Sequence, residues 1–195
     1  MKSNTKKLFL FLLLLFFISV PFIQSLLFSS KNEGSFYLNK EIQADFLHSN
    51  KPNLLVYFGY VGCNNICTPF LHKLNLLYES AEFQALQKDT DVFFVNLTSN
   101  IEPSQADGFA KNFNKNFKGI YLSKKEVQNL DRNYKLFFSD DLIDKNKMNH
   151  TDYLYLIRNH NDSKILKNIY FTHPLRTQKL IHDIIRENEI RGNNE

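Results

Sequence analysis

The stretch Leu54-Leu55-Val56-Tyr57-Phe58-Gly59-Tyr60-Val61-Gly62-Cys63-Asn64-Asn65-Ile66-Cys67 passes from an unbroken apolar run into a pair of cysteines. A run rich in aromatic and aliphatic residues, with no polar alternation, predicts a central strand buried on both faces. Beyond it, Leu71, Leu74, Leu77 and Tyr78 recur at helical spacing and predict a helix from about Thr68 to Lys88. Cys63 and Cys67 are the chain's only cysteines, and they stand where strand gives way to helix. Tyr57, Phe58 and Tyr60 read as core packing beside them.

Working outward, Val92 to Leu97 predicts a second buried strand, and Ser104 to Phe113 and Lys124 to Asn129 read as amphipathic helices. Tyr153 to Ile157 and Lys164 to Phe171 predict two more strands, joined by a turn at Asn161-Asp162-Ser163. Thr177 to Glu189 closes the chain as a helix whose stripe is Leu180, Ile181, Ile184 and Ile185. Near the start, Gly34 to Leu38 followed by Ile42 to Phe46 reads as a short hairpin or strand pair, with its turn between them. Strand, helix, strand, helix, then a hairpin and a helix is the thioredoxin arrangement, an α/β fold with helices flanking a mixed sheet. Its reactive cysteines stand where the first main strand passes into its helix.

Composition is that of a globular protein, with 43% hydrophobic and 23% charged residues. The net charge of +4 comes from scattered lysines, so nothing marks a nucleic-acid surface. The N-terminus departs from the average. Lys2, Lys6 and Lys7 precede an apolar run from Leu8 that extends to Phe28, past Gln24 and Ser25. A bilayer-spanning helix needs about 20 apolar residues, so residues 1–28 read as a signal anchor and 29–195 as the exported domain. A cleaved signal peptide competes, although Gln24 to Lys31 offers only serines as small residues. A transit peptide should be rich in arginine, and the first arginine is Arg132. A buried core helix would leave the clustered lysines unexplained. The expectation is a bacterial inner-membrane protein, single-pass, attached through its N-terminal helix, with its domain in the periplasm.

The cysteines carry the chemistry. A disulfide closing so short a loop would stabilise little. Cysteines one turn apart at a helix start can aim both sulfurs at one ligand, and the positive helix end favours thiolate. The spacing Cys-Asn-Asn-Ile-Cys is one residue longer than the Cys-x-x-Cys of redox enzymes with this fold. Where those enzymes place a cis-proline facing the cysteines, this chain has Met148-Asn149-His150-Thr151-Asp152. Cys63, Cys67 and His150 make a three-coordinate site for copper, as Cu(I) or Cu(II), one per monomer. Zinc accepts the same donors, but structural zinc takes four protein ligands and no fourth is evident. His72, His160 and His182 read as solvated, and His173 precedes Pro174 in a turn with no assigned role.

These motifs resemble the SCO/SenC copper proteins of cytochrome oxidase assembly. The match is carried by Leu54 to Cys67 and by His150-Thr151-Asp152-Tyr153-Leu154-Tyr155-Leu156-Ile157. The resemblance implies a copper chaperone that delivers metal to, or reduces cysteines of, the CuA-bearing subunit of cytochrome c oxidase or another copper client. It carries Cys63, Cys67 and His150 over as ligands. The family's prolines after each cysteine are replaced by Asn64 and Thr68, and its acidic segment by Asn96-Leu97-Thr98-Ser99-Asn100. A thiol–disulfide reductase using Cys63 and Cys67 as a redox pair, and a binding module with an inert site, are the competing functions. A peroxiredoxin is excluded, because Val61-Gly62 does not supply the threonine that precedes its cysteine.

Overall fold

A computed structural model describes residues 6–7, 9, 11–17, 19–20, 34–130, 132–140, 148–160 and 163–192. The chain divides into two compact units, Met1–Glu33 and Gly34–Glu195. In the second, the described residues form β1 (Ser35–Ile42), β2 (Asn53–Gly59), α1 (Cys67–Tyr78), α2 (Ala81–Gln87), β3 (Thr90–Asn96) and α3 (Pro103–Lys111). There follow β4 (Lys118–Tyr121), α4 (Lys124–Gln128), a 3-10 turn (Arg132–Tyr134), β5 (Phe138–Asp140), β6 (Met148–His150), β7 (Tyr153–His160), β8 (Ser163–Phe171) and α5 (Thr177–Gly192).

Six strands make one mixed sheet in the order β1-β8-β7-β2-β3-β4, and β5 and β6 form a separate ribbon. β2, β3 and β4 run parallel, while β7, β8 and β1 are antiparallel to their neighbours. Every residue of β2 and of β3 is buried, as expected for strands covered on both faces. Alternation sends Leu55 and Tyr57 to the face covered by α1, α2 and α5, and Leu54, Val56 and Phe58 to the opposite face with Leu122, Val127 and Tyr134. The architecture is thioredoxin-like.

Several boundaries differ from the sequence reading, each for a local reason. The helix expected to run to Lys88 breaks at Glu79 and Ser80, where the Ser80 hydroxyl donates to the Leu77 carbonyl at 2.7 Å. Serine competes in this way with the helical ladder. The expected N-terminal strand pair is one strand, β1, paired with β8. Asn39, at φ 51°, bends it with a register shift where a turn was expected. The short edge strand β4 and the β5–β6 ribbon had no periodic signature. Of the turn expected at 161–163, residues 161 and 162 lie outside the described residues, while His160 pairs with Ser163.

Among the described residues, no helix is long and apolar enough to cross a membrane. This overturns the expected transmembrane anchor, the single-pass inner-membrane location with a periplasmic domain, attachment to a membrane through the N-terminal helix, and a membrane-anchored function. The expectation counted apolar residues straight through Pro21, whose ring and missing N–H oppose helix continuation. The apolar residues from Leu8 to Val20 fall short of the ~20 that a span needs. Residues 21–28, the remainder of the expected anchor, lie outside the described residues.

α3 lies directly on β4, because Gly119 has no side chain to hold it off. A Cβ there would come within 1.9 Å of the Ala106 carbonyl oxygen. Gly119→Ala should therefore destabilise the fold by about 3 kcal/mol, measured as a lower urea midpoint with an unchanged m-value.

Candidate metal centre

The tip of β2 sets both cysteines. After Gly59 the chain turns through Gly62, which adopts φ +88°, a conformation that disfavours any side chain. The turn is fastened by the Val61 amide, which donates to Asn96 Oδ1 at 3.0 Å, and by the Cys63 amide, which donates to the Tyr60 carbonyl at 3.2 Å. Leu97 N–H donates to the Gly59 carbonyl at 2.8 Å, tying the turn to the end of β3. Asn96 holds this turn through its side-chain amide.

The helix that follows has no side-chain oxygen at its cap. Instead, Cys63 Sγ accepts the Cys67 amide at 3.3 Å, and the Cys63 carbonyl accepts both the amide and the hydroxyl of Thr68 at 3.0 Å. A sulfur that receives a first-turn N–H lies at the positive end of α1, where an anion is favoured. Gly59 permits the close packing behind it. A Cβ at Gly59 would lie 2.8 Å from Cys67 Sγ and 3.0 Å from a Phe94 ring carbon.

His150 arrives from the other side. β6 pairs with β5 so that His150 faces Phe138, and the Thr151 amide donates to the Phe137 carbonyl at 2.9 Å. His150 Nδ1 lies 3.0 Å from the Thr151 carbonyl oxygen. A carbonyl only accepts, so Nδ1 carries a proton, and Nε2 is the ring atom turned toward the sulfurs. Nε2 lies 3.7 Å from Cys67 Sγ. The ligand atoms of Cys63, Cys67 and His150 all fall within 4.8 Å of one another. Bonds of about 2.3 Å to sulfur and about 2.0 Å to nitrogen would put donors roughly 4 Å apart in a trigonal site, so the trio fits one metal ion after small adjustments. Both cysteines are buried, and neither is in a disulfide.

Asp152 completes the frame. Its carboxylate accepts the buried Tyr57 hydroxyl at 2.7 Å, is bonded by the Thr172 hydroxyl, and lies 2.7 Å from His173 Nδ1. The Tyr60 ring stands edge-on to His150, with centroids 6.0 Å apart. Sequence reading treated Tyr57 and Tyr60 as core and gave Asp152 and His173 no role. An acid two residues beyond a candidate histidine ligand was the available signal. His72, His160, His173 and His182 are exposed and are not part of the trio, and of them His173 lies against Asp152.

The two sulfurs divide one proton between them. The hydrogen bond from Cys67 holds the Cys63 thiol far below the usual thiol range, against the opposing effect of burial, and His150 adds to the lowering. Cys67 is pushed up, first by its bond to the Cys63 sulfur and then by burial. Burial works to lower His150, but the Cys63 sulfur and the Thr151 carbonyl outweigh it, and the ring is held above its ordinary value. Burial, with the Cys63 sulfur nearby, pushes Tyr60 up to about 12. Linkage follows from these directions. The Cys63 thiolate stabilises the fold above the unfolded thiol range, and that contribution is lost as pH falls through its folded value. Cys67 acts in the opposite sense, losing its contribution as pH rises.

A thioredoxin-like sheet with two cysteines and a histidine gathered at the tip of its central strand defines a thioredoxin-like dithiol protein with a cluster capable of holding a metal ion. More narrowly, the chain belongs to the SCO1/SenC family, whose profile matches residues 41–187. It is similar to the human mitochondrial protein SCO1 homolog, 24% identical over 108 residues that make up 53% of this chain and 36% of that protein. The chain thus matches about a third of that relative's length. It shares its fold with Arabidopsis thaliana ScoI, solved with copper bound, at TM-score 0.59 and 18% identity, over 71% of this chain and 84% of the other. It likewise resembles BsSco, described as a member of the Sco family of cytochrome c oxidase assembly proteins in which a disulfide switch was identified. That match has TM-score 0.55 and 18% identity, over 77% and 95% of the two chains.

Two results are expected. The reduced, metal-free protein should show the ultraviolet absorbance of one thiolate at neutral pH, decaying only in strong acid; Cys67→Ala, which removes the donor to Cys63, should move that decay to higher pH. Gly59→Ala should displace the Cys67 sulfur and cost about 1–3 kcal/mol of stability, measured as a lower melting temperature with faster alkylation of Cys67.

Proposed function

We propose that this chain binds one copper ion through Cys63 Sγ, Cys67 Sγ and His150 Nε2, and passes it to a copper-accepting partner. The observation that carries this reading is the convergence of two sulfurs and an imidazole nitrogen within 4.8 Å. Soft thiolates favour Cu(I), and an imidazole suits Cu(II) as well. Structural zinc takes four protein ligands, and this is the one such cluster among the described residues. Three donors at a strand tip leave a position that a partner's ligand can take, which hand-over requires. Copper bound to Arabidopsis ScoI supports the choice of metal. Assembly of cytochrome c oxidase, the setting in which BsSco is described, is the context the family offers for such a transfer.

A second reading has its own observation. Cys63 Sγ accepts the Cys67 amide at the start of α1, which favours its thiolate, while the deeper Cys67 is pushed toward its protonated form, the pattern of an attacking thiol and its resolving partner. Thiol–disulfide exchange would use the two sulfurs and leave His150 idle, so that residue separates the functions.

Anaerobic titration of the reduced full chain with Cu(I) should reach one equivalent, and His150→Ala should weaken binding by at least about tenfold. A reduced protein that took up no copper would overturn the carrier reading. Full affinity in His150→Ala would leave only the dithiol chemistry standing.

A further inference from the structure

Met148 and His150 stand two residues apart on β6, so strand geometry turns both side chains to one face while the exposed Asn149 points away. Both are partly buried. Met148 packs against the two apolar clusters on opposite faces of the sheet, one of which contains Cys63, Cys67 and Tyr60. The Tyr60 hydroxyl meets the Met148 backbone, and its ring faces His150. Met148 also lines a surface cleft of about 290 Å³, walled by Leu97, Ser99, Lys124 and Phe138. Met148 therefore borders both the apolar cluster that holds Cys63 and Cys67 and the cleft. Apart from Met1, it is the chain's only methionine.

A methionine here fills the gap where two cores meet, which its unbranched chain does well. Leucine would fill similar volume, but it would offer no soft sulfur. We propose that Met148 is a further, transient ligand for Cu(I) as the ion moves between the cluster and the cleft. This rests on the copper-carrier reading. In the transfer step, a bond from copper to the Met148 sulfur forms as the bond to His150 Nε2 breaks, while the cysteine sulfurs hold on. The thioether is neutral and has no proton to lose, so no proton and no electron moves. Cu(I) suits this donor, whereas zinc, which prefers nitrogen, thiolate and oxygen ligands, does not.

The test uses reduced full-length protein with carbon-13 in its methionine methyl groups, titrated anaerobically with Cu(I). Filling of the cluster is followed by thiolate-to-copper absorption. The Met148 methyl resonance should shift or broaden as the absorption rises, and should stay in place when zinc is added instead. A methyl signal that holds still while the cluster fills would overturn the proposal and leave Met148 as packing. Absence of the absorption itself would overturn the carrier reading, a separable outcome. In a second arm, Met148→Leu should slow severalfold the removal of bound copper by a Cu(I) chelator. Equal rates in the two proteins would also overturn it.

Discussion

The antiparallel pairing of β7 with β2, which sets Tyr57 opposite Leu154, is the constraint on which the centre depends. With that register in place, residues 150–152 must cross the tip of β2, where the chain turns toward Cys63. The Tyr57 hydroxyl then reaches the Asp152 carboxylate and fastens the two segments 95 positions apart in sequence. A shift of one residue would exchange the faces of β7 and drive each set of its side chains into the core packed for the other. The same burial that stabilises the sheet therefore sets where the imidazole arrives. Packing and chemistry share one alignment.

Within that frame, small local devices prepare the donors. α1 is capped by a sulfur, so the helix end and the thiolate stabilise each other. Gly59 lets the second sulfur sink against β2, where burial and its neighbour keep it protonated. Two cysteines one turn apart thus have opposite characters, one anionic and near the helix end, the other neutral and deep. A metal ion that bound both would displace the shared proton and replace its attraction with a stronger one.

Much of this was legible in the sequence. The apolar run Leu54 to Tyr60 and the strands at Tyr153 to Ile157 and Lys164 to Phe171 could be read because buried strands leave a direct compositional trace. Cys63, Cys67 and His150 could be paired on paper because cysteine is rare here and His150 opens a strand pattern. What stayed hidden depends on tertiary contact. Asn96 holds the turn by an amide, an arrangement no periodicity announces. Ser80 ends a helix that propensity would continue. Asp152 finds Tyr57 only after the sheet has formed. The N-terminal reading failed differently, because hydropathy was summed across a proline as though length alone decided.

The hydrogen bond from His150 Nδ1 to the Thr151 carbonyl gives the ring a partner that belongs to the main chain. Histidine ligands are commonly oriented by a carboxylate, a backbone carbonyl or water, and of these only a side-chain partner is lost by a single codon change. Here every amino acid at position 151 carries the same oxygen. The aim of the imidazole is consequently insulated from drift at neighbouring side chains, and it can persist through generations in which the surrounding surface, and any partner that reads it, changes.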